Sequence, residues 1–352
     1  MKKKVFFIVS SLVAGGSERV FWLLSQSFDP KKYDVSLVIL NGVNPHLSTD
    51  LPIRIIDLNT IKASRSFLKL YKFIKKEKPY AIFSTAAHIN LLVSLVSFFV
   101  KVPMLIARES HIFHQMLTIG DTRSKFWEML INVFYRRFNV VICQSDEMQK
   151  SFVSNFGIRE NKLTIIPNPV IIPLNIDVPA DKGSYKKILI VARLVPEKGL
   201  HRLLEIFSEL PSDYQLTIAG DGPLMEPLIE TVKQLNLQHR VFMLGKIRNV
   251  SEVISNHHVF ALTSFTEGFP NAALEALAVG IPVVAFNVGG ITELVQPGFN
   301  GYIVEQNTPR VFRNYLIKAA EQQWDAKAIR DDIANRFAIN KIADRYQELI
   351  KS

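Results

Sequence analysis

Residues 263–304 read TSFTEGFPNAALEALAVGIPVVAFNVGGITELVQPGFNGYIV. After the turn TEGFPN, Asn271 leads into Ala272, Ala273, Leu274, Ala276, Leu277 and Ala278, all good helix formers. Gly280 and Pro282 stop that helix in the usual order, Gly just past the last turn and Pro soon after. PVVAF is an unbroken apolar run of strand length, which predicts a strand buried on both faces. Gly289-Gly290 then opens another short helical segment. Strand, acidic turn, helix, strand and Gly-Gly turn is the layout of a ligand site at the carboxyl edge of a parallel sheet. The stretch carries two carboxylates eight residues apart, Glu267 in the turn and Glu275 on the helix. Amide groups at the helix start near Asn271 suit an anionic or hydroxyl-rich ligand.

The same alternation extends in both directions. Upstream, KILIVAR, YQLTIAG, RVFMLG and HVFALTS read as strands separated by helical segments. Further upstream, KVFFIVS, YDVSLVIL, YAIFST, PMLIARE, NVVICQS and LTIIPN do the same. Strand–helix alternation predicts α/β folding with parallel sheets wrapped on both faces. At 352 residues the chain exceeds one ordinary core, and two domains are expected. Residues 167–184 hold four prolines and no helical period, which reads as a linker. Residues 309–352 are helical and polar, with apolar positions spaced for packing on another element.

The formal charge of +10 is uneven. Residues 1–180 hold 23 Lys+Arg against 13 Asp+Glu, which leaves 19 of each for residues 181–352. The excess in the N-terminal half points to an anionic partner, a membrane surface, a phosphorylated substrate or nucleic acid, or else to a solvated face. Two basic segments with interleaved apolar residues stand out: 62–76, with Phe67, Leu68, Leu70, Tyr71 and Phe73, and 123–137, with Phe126, Trp127, Leu130, Ile131 and Phe134. Either suits anionic lipid, and either equally suits a core-facing stripe with solvated lysines. The lone Cys143 excludes an internal disulfide. MKKKVFFIVSSLVAGGS has the outline of a signal peptide, but Ser10-Ser11 break its apolar run, so a buried first strand over 5–9 is the better reading. The apolar run 91–100 is too short to span a membrane and reads as a core helix.

Three motifs carry chemistry. Gly15-Gly16, between the first strand and first helix, allows a phosphate to approach backbone and helix N-terminus. It is not G-x-G-x-x-G, so a dinucleotide oxidoreductase is disfavoured, and a plain tight turn remains open. Arg193 and Lys198 lie five residues apart on a loop containing Pro196 and closed by Gly199, which suits a diphosphate clamp as well as a pair of surface cations. Glu267 and Glu275 suit acid–base work, metal ligation or acceptance of sugar hydroxyls. No Asp-x-Asp occurs and no His/Asp cluster lies near them, so a metal is not expected.

Taken together, GGSERV, Arg193-Leu-x3-Lys198-Gly, Gly220-Asp221-Gly222-Pro223, Glu267-x7-Glu275 and Gly-Gly-x2-Glu followed by NGYIV resemble retaining glycosyltransferase family 4. The resemblance is most specific over residues 187–304. It implies the GT-B architecture, two Rossmann-like domains facing a cleft. Residues 1–170 would then be an acceptor-binding domain, 171–184 a linker, 185–330 a nucleotide-sugar domain, and 331–352 a helical tail packing back on the first domain. Arg193 and Lys198 would hold the donor diphosphate, with Gly15 and Gly16 closing on the same phosphates. Glu275 would accept from the ribose hydroxyls, and Glu267 would face the transferred sugar. Backbone N–H groups near Gly268, Phe269 and Asn271 would complete the sugar pocket, while Pro270 has none to give. A histidine facing the donor sugar is expected at His111, with His88 a second candidate near the acceptor side. Arg108-Glu109 between them equally suits a local ion pair. The implied reaction moves a sugar from a nucleotide-diphosphate donor, expected to be UDP-linked, to a lipid-linked or polysaccharide-precursor acceptor with retention. It needs no metal cofactor, and its implied setting is the inner face of the cell membrane, on an anionic surface. A nucleotide-sugar epimerase, a phosphorolytic enzyme and a basic nucleic-acid-binding protein are the competing readings; the last lacks aromatic RNP-like or zinc-finger signatures.

Overall fold

A computed structural model describes residues 2–11, 16–42, 53–60, 63–110, 129–174, 176, 178–179 and 183–351. The chain forms two compact units: residues Met1–Pro169 with Ile339–Ser352, and residues Val170–Ala338. Each is built on one all-parallel sheet.

In the first unit the strands are β1 (Lys3–Val9), β2 (Tyr33–Ile39), β3 (Arg54–Asp57), β4 (Ala81–Thr85), β5 (Met104–Arg108), β6 (Val140–Cys143) and β7 (Leu163–Ile165). They lie in the order β3-β2-β1-β4-β5-β6-β7. Alternate residues of β1 serve opposite faces: Phe6 and Ile8 join one core cluster, Val5, Phe7 and Val9 the other. Burial on both faces is why KVFFIVS reads as continuous apolar sequence. The run read as a core helix over 91–100 is helical over Ala87–Val96 and turns out of the core, leaving Phe98 and Phe99 exposed.

The second unit contains β8 (Lys186–Val191), β9 (Tyr214–Ala219), β10 (Val241–Gly245), β11 (Val259–Leu262), β12 (Val283–Phe286) and β13 (Gly301–Val304), in the order β10-β9-β8-β11-β12-β13. The helix after the acidic turn runs Asn271–Val279 and is closed by Gly280 in a left-handed conformation. Six of its nine residues are buried, and the half-buried Asn271, Ala272 and Glu275 share one stripe at helical spacing.

The boundaries differ from the sequence reading at two places. The helix Ala326–Phe337 stays with the second unit, because Ile329, Ile333 and Phe337 pack into the same core as the helix Asn271–Val279. The return to the first unit therefore falls at Ile339 and not at 331. Nor is the proline-rich segment a free linker: Val170 belongs to the second unit's core, and Ile172, Ile176 and Val178 pack against it. The Val170 N–H donates to the Phe337 carbonyl at 2.9 Å. The final helix, Ile339–Glu348, buries Ile342, Ala343 and Tyr346 among β1, β2 and β4 residues of the first unit. No helix among the described residues is long and apolar enough to cross a membrane.

Candidate functional site

In both sheets the strand order reverses beside the first strand of the unit, between β1 and β4 and between β8 and β11. Loops leaving the carboxyl ends on either side of such a reversal diverge and open a crevice. In the second unit these loops are the two that carry the candidate residues, 192–199 after β8 and 263–270 after β11.

The two loops are bonded into one body. The Phe265 N–H donates to the Glu197 carbonyl at 2.8 Å, and Thr263 Oγ1 donates to the Lys198 carbonyl at 3.1 Å. Gly199 has φ of +63°, and a Cβ there would fall 2.1 Å from the Thr263 carbonyl oxygen, so only glycine lets the loops approach this closely. Arg202, one turn into the helix Leu200–Ser208, completes the clasp. Its Nε donates to the Thr263 carbonyl at 2.7 Å, Nη2 to the Ser264 carbonyl at 2.7 Å, and Nη1 to Gln306 Oε1 at 2.9 Å. The guanidinium lies 3.9 Å from the Phe265 ring centre and 4.0 Å from that of Phe286, and burial pushes its pKa down to about 10. Sequence reading missed Arg202 because its partners, the backbone carbonyls of Thr263 and Ser264 and the side-chain amide of Gln306, lie on distant loops, and such acceptors leave no mark in sequence.

Held this way, Lys198 and Glu267 meet. Lys198 Nζ lies 2.7 Å from Glu267 Oε1, with side chains 21% and 12% exposed, and Ser264 Oγ donates to the same oxygen at 2.6 Å. Arg193 is not drawn into this pair; it is well exposed and reaches Glu197 Oε1 at 3.5 Å. Its loop is braced from the other side, where the Leu194 N–H donates to the Asp221 carbonyl and the Leu224 N–H to the Leu194 carbonyl. That explains the Gly220-Asp221-Gly222-Pro223 sequence as a support for the Arg193 loop. Behind Glu267, Gly289 packs its Cα on the Glu267 and Gly268 carbonyls, and the Gly290 N–H points to the Gly268 carbonyl at 3.4 Å. The Asn271 N–H is engaged within the turn, donating to the Phe269 carbonyl at 3.0 Å, and the Phe269 ring is buried against Phe337. The helix start has no side-chain cap.

In the first unit the corresponding reversal brings the helix start at Gly16 and the β4 end together. Ser10 Oγ donates to Glu18 Oε1 at 3.0 Å. Ala86, between β4 and the helix Ala87–Val96, has φ of +71°, a strained value for a residue with a Cβ. His88 follows it; crowding by the protein lowers its pKa, opposed by Glu18. Gly15 and His111 lie outside the described residues.

Arg108 and Glu109 do not pair with each other. Arg108 is fully buried and donates to Thr85 Oγ1 at 3.0 Å and Asn168 Oδ1 at 2.5 Å. Glu109 Oε1 accepts from Asn90 Nδ2 at 2.7 Å and from the Tyr135 hydroxyl. Neighbouring residues of a strand point to opposite faces, which separates the two side chains. Burial pushes the Glu109 carboxyl up to about 7, opposed by those hydrogen bonds. Because its folded pKa lies above the unfolded 4.5, the Glu109 contribution to stability is greatest below pH 4.5 and is lost as pH rises to about 7. The loss amounts to about 3 kcal/mol. Denaturant unfolding at pH 5 and 7.5 should show this fall in the wild type relative to Glu109→Gln; equal pH slopes would remove the assignment.

Comparison with known proteins agrees with the two parallel-sheet units. Residues 14–172 match the family described as Glycosyltransferase Family 4, and residues 173–336 that described as Glycosyl transferases group 1. The two matches together span residues 14–336, and the chain is a glycosyltransferase with the GT-B fold. This glycosyltransferase is 28% identical over 318 residues to the Escherichia coli UDP-Gal:alpha-D-GlcNAc-diphosphoundecaprenol alpha-1,3-galactosyltransferase, covering 83% of this chain and 80% of that one. It is 28% identical over 319 residues, 86% of each chain, to a Campylobacter jejuni N-acetylgalactosamine-N,N'-diacetylbacillosaminyl-diphospho-undecaprenol 4-alpha-N-acetylgalactosaminyltransferase. Among solved structures it resembles the lipopolysaccharide outer core galactosyltransferase WaaB, at a TM-score of 0.80 and 19% identity over 99% of each chain. It also resembles Anabaena HepE in complex with UDP-glucose, at 0.81 and 20% over 98% of each.

Proposed function

We propose that this glycosyltransferase moves a sugar from a UDP-sugar to a lipid-linked or polysaccharide-precursor acceptor, with retention of the anomeric configuration, at the inner face of the cell membrane. The observation that carries the reading is the Lys198 ammonium on Glu267 Oε1 at the sheet's topological reversal. A cation and a carboxylate held there suit a ligand that is a diphosphate at one end and a set of hydroxyls at the other. The two relatives named above act on diphospho-undecaprenol acceptors, and one takes UDP-Gal.

In this reading Arg193 and Lys198 take up the charge that develops on the leaving diphosphate. Gly15 and Gly16 bind the same phosphates, Glu275 accepts from the ribose, and Glu267 with the amides near Gly268 and Phe269 faces the sugar, while the Asn271 N–H is held by the Phe269 carbonyl and would have to leave it to join them. His111, or His88, is the histidine assigned to the donor sugar. Glu267 already accepts from Lys198 and Ser264, which makes it a better holder of hydroxyls than a nucleophile. Departure and attack therefore share one face of the sugar, and the leaving diphosphate takes the acceptor proton. The two cations supply the charge a metal would otherwise supply, so EDTA should leave turnover unchanged.

A panel of nucleotide sugars scored by thermal shift identifies the donor, since a true donor raises Tm by mass action. Proton NMR of the product then reads the anomeric configuration. An inverted product, or a panel in which no nucleotide sugar raises Tm, would overturn the proposal. Product formed from donor alone would favour an epimerase.

A further inference from the structure

The first unit presents one continuous apolar face, built from three elements that are separate in sequence. Phe98 and Phe99, just past the helix Ala87–Val96, are 53% and 64% exposed. Phe99 packs edge-on against Phe67, with ring centres 5.6 Å apart, and lies 6.5 Å from Tyr71, which ties it to the helix Phe67–Glu77. Phe98 packs edge-on against Phe134 at 6.1 Å, and Ser94 Oγ donates to the Phe134 carbonyl at 2.7 Å, which ties it to the segment 129–137. Leu68, Met129 and Val133 extend the exposed apolar surface on the two flanking segments.

Among the described residues of these three segments, the charges share one sign. Residues 63–76, 87–108 and 129–145 contain no Asp or Glu. They supply exposed Lys72, Lys75, Lys76, Lys101, Arg136 and Arg137. Glu77, which follows the first of these segments, is neutralised by Lys4 at 2.8 Å. Arg137 stacks 4.8 Å over the Phe98 ring and donates to the Ser97 carbonyl, so a cation is fixed at the edge of the aromatic pair.

We propose that Phe98 and Phe99 are the inserting tip of a docking surface for an anionic lipid bilayer, with the lysines of the helix Phe67–Glu77 and Arg136–Arg137 seated at the headgroups. Aromatic rings flanked by cations, with no carboxylate among the described residues of the three segments, match the two layers that an interface offers, acyl chains beneath and anionic headgroups above. A protein partner would call for carboxylates opposite the lysines, and a second copy of this face would place like charges against each other. The inference rests on the proposed lipid-linked acceptor for its purpose, but its physical basis is independent of the donor site.

Flotation with vesicles of phosphatidylcholine and phosphatidylglycerol at low salt tests it. The full chain should float with the mixed vesicles, remain in solution with phosphatidylcholine alone, and be released by high salt. Phe98→Ser with Phe99→Ser should weaken vesicle binding at least tenfold, and Lys72→Glu with Lys75→Glu, chosen in case the first pair misfolds, should do the same. Both variants should keep the Tm rise given by the best nucleotide sugar. Failure of the wild type to float, or variants that float as well as wild type, would overturn the surface. So would a concentration-dependent dimer dispersed by the serine pair, which would assign the face to a second copy. Loss of the nucleotide-sugar shift in the wild type with flotation intact would instead sink the donor reading and leave the surface standing.

Discussion

Lys198→Ala is expected to lower kcat by about 10²–10³-fold, on the scale of removing one preorganised charge from a developing anion. The Lys198 side chain is 21% exposed with its ammonium 2.7 Å from Glu267 Oε1, and Gly199 immediately follows it against the Thr263 carbonyl, which fixes the loop that carries it. Its deletion leaves Ser264 Oγ as a donor to that carboxylate oxygen, and an uncompensated carboxylate beside a diphosphate opposes donor binding as well. Donor affinity should therefore fall together with kcat. Lys198→Arg keeps the charge but changes its shape, and should recover only part of the loss. Single-turnover kinetics at saturating donor separates the two effects. Turnover of Lys198→Ala close to wild type would remove Lys198 from the clamp.

Gly289→Ala should be nearly as damaging, through backbone and not through charge. Gly289 has φ of +52°, and a Cβ there would lie 2.3 Å from the Glu267 carbonyl oxygen and 3.1 Å from that of Gly268. Relief of the first contact requires the acidic turn to retreat by about 1 Å, given ordinary C···O separations. A displacement of that size at a reacting centre costs about 100-fold in rate, and the strained backbone with the clash costs about 2–4 kcal/mol of stability. Gly298→Ala is the matched control, since Gly298 also has positive φ, +82°, with nothing within 4 Å of the added Cβ. It should lose about 1–2 kcal/mol and keep its turnover. Denaturant unfolding and turnover of the pair decide it: equal behaviour would show that the Gly-Gly turn does not set the position of Glu267.

Residues 263–304 were legible because each element there has a local cause. Alanine and leucine drive the helix Asn271–Val279, Gly280 ends it, and the double-faced burial of β12 demands unbroken apolar sequence. The glycines at 199 and 289 were visible as turns, but the carbonyls they pack against were not, because close backbone approach is a tertiary fact. Arg202 shows the same limit, its partners being three acceptors on distant loops. Arg108 and Glu109 looked like a pair in sequence and are separated by the alternation of a strand. Phe98 and Phe99 looked like the end of a core helix, and only the burial of their neighbours shows that the chain has already left the core. The boundary at Ile339 escaped because the helical period of residues 326–348 says that two faces are apolar without saying which core each one meets.

The return of the last helix has a consequence for the order in which the protein is made. Residues Val170–Ala338 are contiguous and hold their own core, so this unit can close as soon as it leaves the ribosome. The first unit, although synthesised earlier, must wait with the patch around Phe28 and Phe83 unfilled until Ile342, Tyr346 and Ile350 arrive. The late-made half is therefore expected to close first, with the early-made half open until the last helix arrives. Limited proteolysis of a chain stopped after Ala338 should cut within residues 1–169 and spare 170–338; equal protection of both would show that the first unit closes unaided.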